Sequence, residues 1–253
     1  MIGLYKPYSL IYNGDIPYTT SENGMSLTQL FPNNLPTLIM YDLDGTLVDS
    51  VPDLIIATDC MLKDLNRPLA GSENLSHWVG NGIPALIKRA LANDIEGDQP
   101  GRIDPEHFQT ALTCFQHHYK HEVGQHSQLY PGVKPFLEVM HSQGITQTII
   151  TNKAEVFSHL LVQAMGIDHL FDYLVGGDTL PECKPHPLPL LHTIEKYHST
   201  PGNALMIGDS IHDINAARAV GIQVVGVTYG YNHGNPISEA NPDCTVANLM
   251  DLL

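Results

Sequence analysis

Apolar residues come in two spacings along this chain. Short continuous runs at Leu38-Ile39-Met40-Tyr41, Thr146–Ile150, Tyr173–Val175, Ala204–Ile207 and Gln223–Val227 have the pattern of strands buried on both faces, as in a parallel sheet. Between them, apolar residues recur three and four apart. Pro131–Gln143 sets Val133, Phe136, Leu137 and Met140 on one helical face, opens with proline and stops before Gly144. Ala154–Met165 stops at Gly166 in the same way, and Ile211–Val220 stops at Gly221. Strand and helix alternate, which predicts an α/β fold, Rossmann-like, with a mostly parallel sheet and helices on both faces.

Residues 51–127 break this alternation. Pro52–Asn66, Ile83–Ala92 and Asp104–Val123 are all helical in period, with no strand pattern between them. A small helical domain is therefore predicted as an insertion after the first strand, dividing the α/β core into 36–50 and 128–253. Residues 1–35 are rich in Asn, Pro and Tyr and lack periodicity. They read as an N-terminal extension outside the core, disordered or artefactual, with Met25 as an alternative start.

Composition narrows the partners. With 253 residues and 43% of them hydrophobic, the chain can bury a substantial interior. Twelve Lys and Arg face 27 Asp and Glu, a net charge of −15, and no basic cluster is present to follow a nucleic-acid backbone. No apolar run approaches the roughly 20 residues of a membrane span, and the first 24 residues lack a signal-peptide core. The four cysteines, Cys60, Cys114, Cys183 and Cys244, show no zinc spacing and suit a reducing compartment. A cytoplasmic protein is expected, monomeric or homodimeric, acting on a small molecule without nucleic-acid or membrane partners.

Ligands of open α/β sheets sit beyond the carboxyl ends of the strands. Asp42 and Asp44 follow the first run, Thr151-Asn152-Lys153 the second, and Gly208-Asp209-Ser210 with Asp213 the fourth. These groups can build a phosphoryl-transfer site. A carboxylate such as Asp42 attacks phosphorus when a divalent cation offsets anion repulsion, and oxygen ligands from Asp42 and Asp209 favour Mg²⁺. Asp44, two residues on, can protonate the leaving oxygen and later take a proton from water. Lys184 and Thr151 suit the phosphoryl oxygens. A calcium loop opening at Asp42 would need a glutamate where Asp53 stands beside Pro52.

In that order the residues resemble the four motifs of the haloacid dehalogenase-like hydrolases: Asp42-Leu43-Asp44-Gly45-Thr46-Leu47, then Thr151, then Lys184-Pro185, then Gly208-Asp209 with Asp213. The resemblance runs over about residues 36–253. It implies an Mg²⁺-dependent phosphatase in which Asp42 forms an aspartyl-phosphate and binds the metal. It also implies Asp44 as acid/base with its backbone carbonyl on the metal, Asp209 as the third protein ligand, and Asp213 and Asn152 behind them. The helical insertion resembles that family's small cap, which closes over substrate. Within the superfamily, Trp78-Val79-Gly80-Asn81-Gly82, Lys184-Pro185-His186-Pro187 and Val227–Asn232 are similar to the bacterial phosphoglycolate phosphatase group, so 2-phosphoglycolate is the expected substrate. A sugar-phosphate phosphatase or phosphomutase of the same superfamily is the alternative.

Gly80, Asn81 and Gly82 are expected to meet the substrate, with Arg89 on the next helix as a candidate partner for its carboxylate. The same residues also fit a plain helix–helix turn and a solvated helix face. His117 and His121, four apart, read as surface residues in a chain with 14 histidines. Cys183, beside Lys184, reads as an ordinary loop residue, with a redox role as the sharper alternative.

Overall fold

The computed structural model describes residues 25–79 and 81–253. A single helical turn, α1 (Leu27–Leu30), precedes β1 (Leu38–Tyr41) and the two-residue β2 (Val48–Asp49). Four helices follow: α2 (Val51–Asp64), α3 (Ser72–Trp78), α4 (Gly82–Ala92) and α5 (Pro105–Glu122). The chain returns through β3 (Gln128–Leu129) to α6 (Val133–Ser142), β4 (Thr146–Ile150), α7 (Glu155–Ala164) and β5 (Tyr173–Val175). It ends with α8 (Leu188–Lys196), β6 (Ala204–Gly208), α9 (Ile211–Val220), β7 (Gln223–Val227) and β8 (Cys244–Val246).

Six strands pair in parallel in the order β5-β4-β1-β6-β7-β8. The chain builds outward from β1 to β5, then crosses to β6 on the other side of β1 and builds the opposite way. Strand order therefore reverses between β1 and β6, which opens a crevice at their carboxyl ends. Every residue of β1 and β6 is buried, as expected for central strands covered on both faces. Alternation along β1 divides the core. Ile39 and Tyr41 pack with Phe136, Leu137, Phe157 and Leu161 on one face, while Leu38 and Met40 pack with Leu190, Ile214 and Ala217 on the other. Each such side chain contributes ~1.5–3 kcal/mol of burial. Tyr41 brings a hydroxyl into this interior, where it donates to Gln147 Oε1 at 2.8 Å, and the Gln147 amide donates to the carbonyls of Leu137 and Leu170.

Three features depart from the sequence reading. Residues 25–35 are not outside the core: Leu27, Leu30 and Phe31 are buried in it, and only residues 1–24 of the expected extension lie outside the described residues. One turn of helix is too short to show a period. β8 and α3 are also unanticipated, because three residues and seven residues carry only Cys244 and Val246, or Leu75 and Trp78, as inward positions. β2 and β3 pair antiparallel, Val48 opposite Leu129, and so join the two linkers that lead into and out of the helical insertion. Among the described residues no helix is long and apolar enough to cross a membrane.

Asp53 holds the same region together. It lies near the start of α2, is fully buried, and accepts hydrogen bonds from the backbone N–H of Gly124 and of His126, both at 2.7 Å, and from the Ser127 hydroxyl. The start of α2 thus meets the segment just past α5, so the two helices run antiparallel. Asp53→Ala would leave the buried Ser127 hydroxyl and the part-buried N–H groups of Gly124 and His126 without their acceptor and is expected to lower unfolding free energy by on the order of 3 kcal/mol. Chemical denaturation measures this; a change below ~1 kcal/mol would show that the carboxylate is not the clamp.

Candidate active site

The crevice at the strand-order reversal collects the charged residues. Asp42 follows β1, and its N–H extends the pairing with β6 by donating to Ile207 O at 2.9 Å. Asp209 follows β6, so the two carboxylates approach from adjacent strands. Asp213, in the first turn of α9, accepts from the Ser210 N–H and hydroxyl at 3.0 and 2.9 Å, which caps that helix and aims its second oxygen at Lys184. One oxygen from each of Asp42, Asp209 and Asp213 lies within 4.8 Å of the other two.

Lys184 is the counter-ion. Its buried Nζ stands 2.7 Å from Asp42 Oδ1 and 2.6 Å from Asp213 Oδ1, and donates to Ile150 O at 2.6 Å. Burial works against this ammonium, yet Asp213 and Asp42 together hold its pKa above the ordinary lysine value. Three carboxylates against one ammonium leave two negative charges uncompensated. Burial pushes Asp42 well above the usual carboxylate range; Lys184 pulls it down, and Asp213 and Asp209 push it up again. Burial, then the charge of Asp213, raises Asp209 to about 6, although the Tyr231 N–H at 2.7 Å and the Thr46 hydroxyl at 3.1 Å favour its ionised form. A buried, all-oxygen cluster lacking two positive charges fits a hard divalent cation such as Mg²⁺.

Close approach dictates the glycines. A Cβ on Gly45, which sits at φ +88°, would collide with the Asp209 carboxylate and stand 2.9 Å from the Tyr231 ring. A Cβ on Gly230 would strike Asp209 from its other side.

Asp44 faces a different set of partners. It accepts from the Ser50 hydroxyl at 2.5 Å and from Lys153 Nζ at 3.0 and 3.2 Å, so its carboxylate stands apart from the three-carboxylate cluster. Its expected tie to a metal is through the main-chain carbonyl. Nothing in the sequence sets Lys153 apart beyond its place in the strand-end tripeptide Thr151-Asn152-Lys153. Its ammonium lies 4.9 Å from the centre of the Tyr119 ring on α5, and Asp44 and Tyr119 more than offset the cost of burying it.

Asp42, Asp44, Lys153 and Lys184 line a small cavity of about 40 Å³ together with Thr151, Asn152, Ser210 and His212, under an apolar roof of Leu54, Val79, Ile83 and Leu86 from the helical insertion. Asn152 donates to Lys184 O at 2.9 Å. Of the expected substrate residues, Gly82 lines the cavity and Gly80 lies outside the described residues. Asn81 directly precedes α4 without a side-chain capping bond, and its amide instead meets His212 Nε2 at 2.7 Å, a bond from insertion to core. Arg89 is not at the cavity. It is buried, donates to Trp78 O at 2.9 Å and Asn81 Oδ1 at 3.0 Å, and pairs with Asp98 at 2.8 Å, so it holds the loop that carries Asn81. His212 was missed: nothing in its spacing distinguishes it from other helix residues.

Comparison with known proteins agrees with this geometry. The family model described as haloacid dehalogenase-like hydrolase matches residues 39–227. The chain is 46% identical over 227 residues to a phosphoglycolate phosphatase of Pseudomonas putida, covering 89% of this chain and 81% of that protein. It is 45% identical over 217 residues to one of Nitrosococcus oceani, covering 86% and 95%. A crystal structure described as a predicted phosphoglycolate phosphatase from Haemophilus somnus superposes with a TM-score of 0.80 at 38% identity, over 85% of this chain and 96% of that one.

The raised carboxyl of Asp209 has a pH signature. Between about pH 4 and about pH 6 the folded, metal-free protein holds a proton there that the unfolded chain has lost, so stability falls as pH rises through that window. Asp209→Asn removes this penalty. Without metal the variant is expected to exceed wild type in stability at neutral pH by on the order of 1–3 kcal/mol, with the advantage gone below about pH 4. Thermal melts in chelator across this range test it; parallel pH profiles for the two proteins would refute it.

Proposed function

We propose that this chain, which belongs to the haloacid dehalogenase-like hydrolase family, hydrolyses small phosphomonoesters through Asp42, and that 2-phosphoglycolate is its substrate. The observation that carries the reading is the gathering of Asp42, Lys184, Asp209 and Asp213 at the strand-order reversal, with Asp44 beside them on the same loop. The printed names of the relatives supply the substrate.

In the first step an oxygen of Asp42 attacks phosphorus while Asp44, as the carboxylic acid, gives its proton to the departing alkoxide. The products are glycolate and an Asp42 acyl phosphate. In the second step Asp44, now a carboxylate, takes a proton from water as that water attacks phosphorus, releasing phosphate and restoring both carboxyl groups. Ser50 and Lys153 hold the Asp44 carboxylate from two sides, which fixes its direction relative to the leaving group. Lys184 touches the nucleophile and spreads part of its charge, and the Thr151 hydroxyl, which lines the cavity, would donate to a phosphoryl oxygen. Asp42, the Asp44 carbonyl and Asp209 would hold Mg²⁺, with Asp213 and Asn152 orienting Lys184 behind them. When bound, Mg²⁺ supplies the positive charge that lets one anion approach another.

Discrimination among phosphate esters falls to the roof. The cavity is small, the roof is apolar, and Asn81 with His212 forms a polar contact between roof and core. A two-carbon acid suits such a space, whereas a hexose would hold the roof open.

Asp42→Asn is expected to lose turnover by a factor of about 10⁴ or more while its fold is kept, and Mg²⁺ added after chelation is expected to restore wild type only. Stopped assays of phosphate release decide this; more than about a tenth of wild-type kcat in the variant would overturn the assignment of the nucleophile.

Asn81→Ala and His212→Ala are each expected to lower kcat/KM for 2-phosphoglycolate by about 10-fold or more, and for an aryl phosphate by much less. Equal losses on both substrates, or a sugar phosphate preferred by the wild type, would overturn the substrate while leaving the hydrolysis.

A further inference from the structure

The helical insertion carries a second group of ligating side chains that the reaction does not use. Asp64 ends α2, while Cys114 and His118 stand four apart on α5 and so share one face of it. The antiparallel packing of α2 on α5 brings Asp64 Oδ2 to 2.8 Å from His118 Nε2 and 3.7 Å from Cys114 Sγ. One donor atom from each residue lies within 4.8 Å of the other two.

Bonds of ~2.0–2.3 Å to a tetrahedral ion require donor separations of ~3.3–3.6 Å. The Asp64–Cys114 separation is already near that figure, and the Asp64–His118 pair has only to open by about 0.5 Å, which a side-chain rotation supplies. Without metal the Cys114 thiol donates to the same Asp64 Oδ2 that His118 meets, so the three groups already converge on one point. The donor set also differs in kind from the active site. Three carboxylates suit a hard cation, whereas sulfur, imidazole and one carboxylate suit zinc and reject magnesium. Both Asp64 and His118 are reached from solvent, with 56% and 25% of their side chains exposed.

We propose that Asp64, Cys114 and His118 form a zinc site that fastens the end of α2 to the interior of α5. Binding expels the Cys114 thiol proton to solvent and places lone pairs from sulfur, nitrogen and oxygen on the ion. The fourth corner falls to water or to Cys60, one turn earlier on α2. Asp53 clamps the other end of the same helix pair, so the zinc would complete a two-point attachment.

The test uses the full chain, reduced with a phosphine and saturated with Mg²⁺, titrated with Co²⁺ as a spectroscopic substitute. The expected result is one Co²⁺ per chain with a thiolate-to-cobalt charge-transfer band and tetrahedral d–d bands, displaced by Zn²⁺. Cys114→Ser, His118→Ala and Asp64→Asn are expected to weaken binding by more than about 10-fold, whereas His117→Ala leaves the spectrum intact. Circular dichroism of the metal-free variants checks that each is folded, and Cys114→Ser, nearly isosteric, serves if another is not. Absence of the charge-transfer band, its persistence in Cys114→Ser, or its loss in His117→Ala but not in His118→Ala would overturn the proposal.

Discussion

Repulsion between carboxylates buried at the ends of two adjacent strands is the constraint that the rest of the molecule answers. Asp42 and Asp209 leave β1 and β6 side by side, and Asp213 closes in from the first turn of α9. Out of water, such a cluster persists only where donors and a cation are already fixed in place. Lys184 is fixed by Ile150 O as well as by its two carboxylates, so it cannot swing out to solvent without abandoning three partners. The Tyr231 N–H and the Thr46 hydroxyl hold Asp209 from either side, and glycines at 45 and 230 give it room. A sheet that reverses its order at this point is what lets two strands deliver acidic residues to one crevice.

Tyr119 connects this chemistry to the roof. It belongs to α5 of the insertion, stacks on Phe115 and meets Phe157 of the core edge to face, while Lys153 sits over its ring. The ammonium that steadies Asp44 is therefore covered by an aromatic of the helical insertion. Burial of the Asp44–Lys153 pair depends on the insertion resting on the core.

The parts of the fold that were legible were those in which local pattern and tertiary demand coincide. β1, β4 and β7 match their apolar runs because interior parallel strands are buried on both faces and nothing else competes for those residues, and β5 matches although it lies at the sheet edge. α9 ends at Gly221 because the left-handed turn there suits glycine. Elements whose existence depends on a distant partner were not legible: β2 is two residues that matter only opposite β3, and α1 is one turn whose leucines find a core built by residues a hundred positions away. In the site, Asp42, Asp44 and Asp209 stand just after apolar runs, and that spacing is itself the signal; Lys184, well past β5, is picked out by its charge and its Lys-Pro motif and not by distance from a strand. Arg89 was misplaced as a substrate contact because sequence shows its charge but not the Asp98 that claims it. Lys153 and His212 escaped for the same reason, since their importance lies in Asp44 and Asn81, each far along the chain.

The two linkers of the insertion are tied in different ways. Tyr231, whose N–H holds Asp209, gives its hydroxyl to Asp49 at 2.8 Å and accepts the N–H groups of Ser50 and Val51 at 2.9 and 3.3 Å. The entry linker is thus anchored to the core, while the exit linker is anchored through Asp53 to the start of α2 itself. For protein engineering this sets where a cassette can be cut. A foreign roof transplanted between residues 65 and 123 would keep both anchors, since Val51–Asp64 and 124–127 stay together. A graft that replaced α2 but kept 124–127 would sever the Asp53 clamp and arrive without its own hinge.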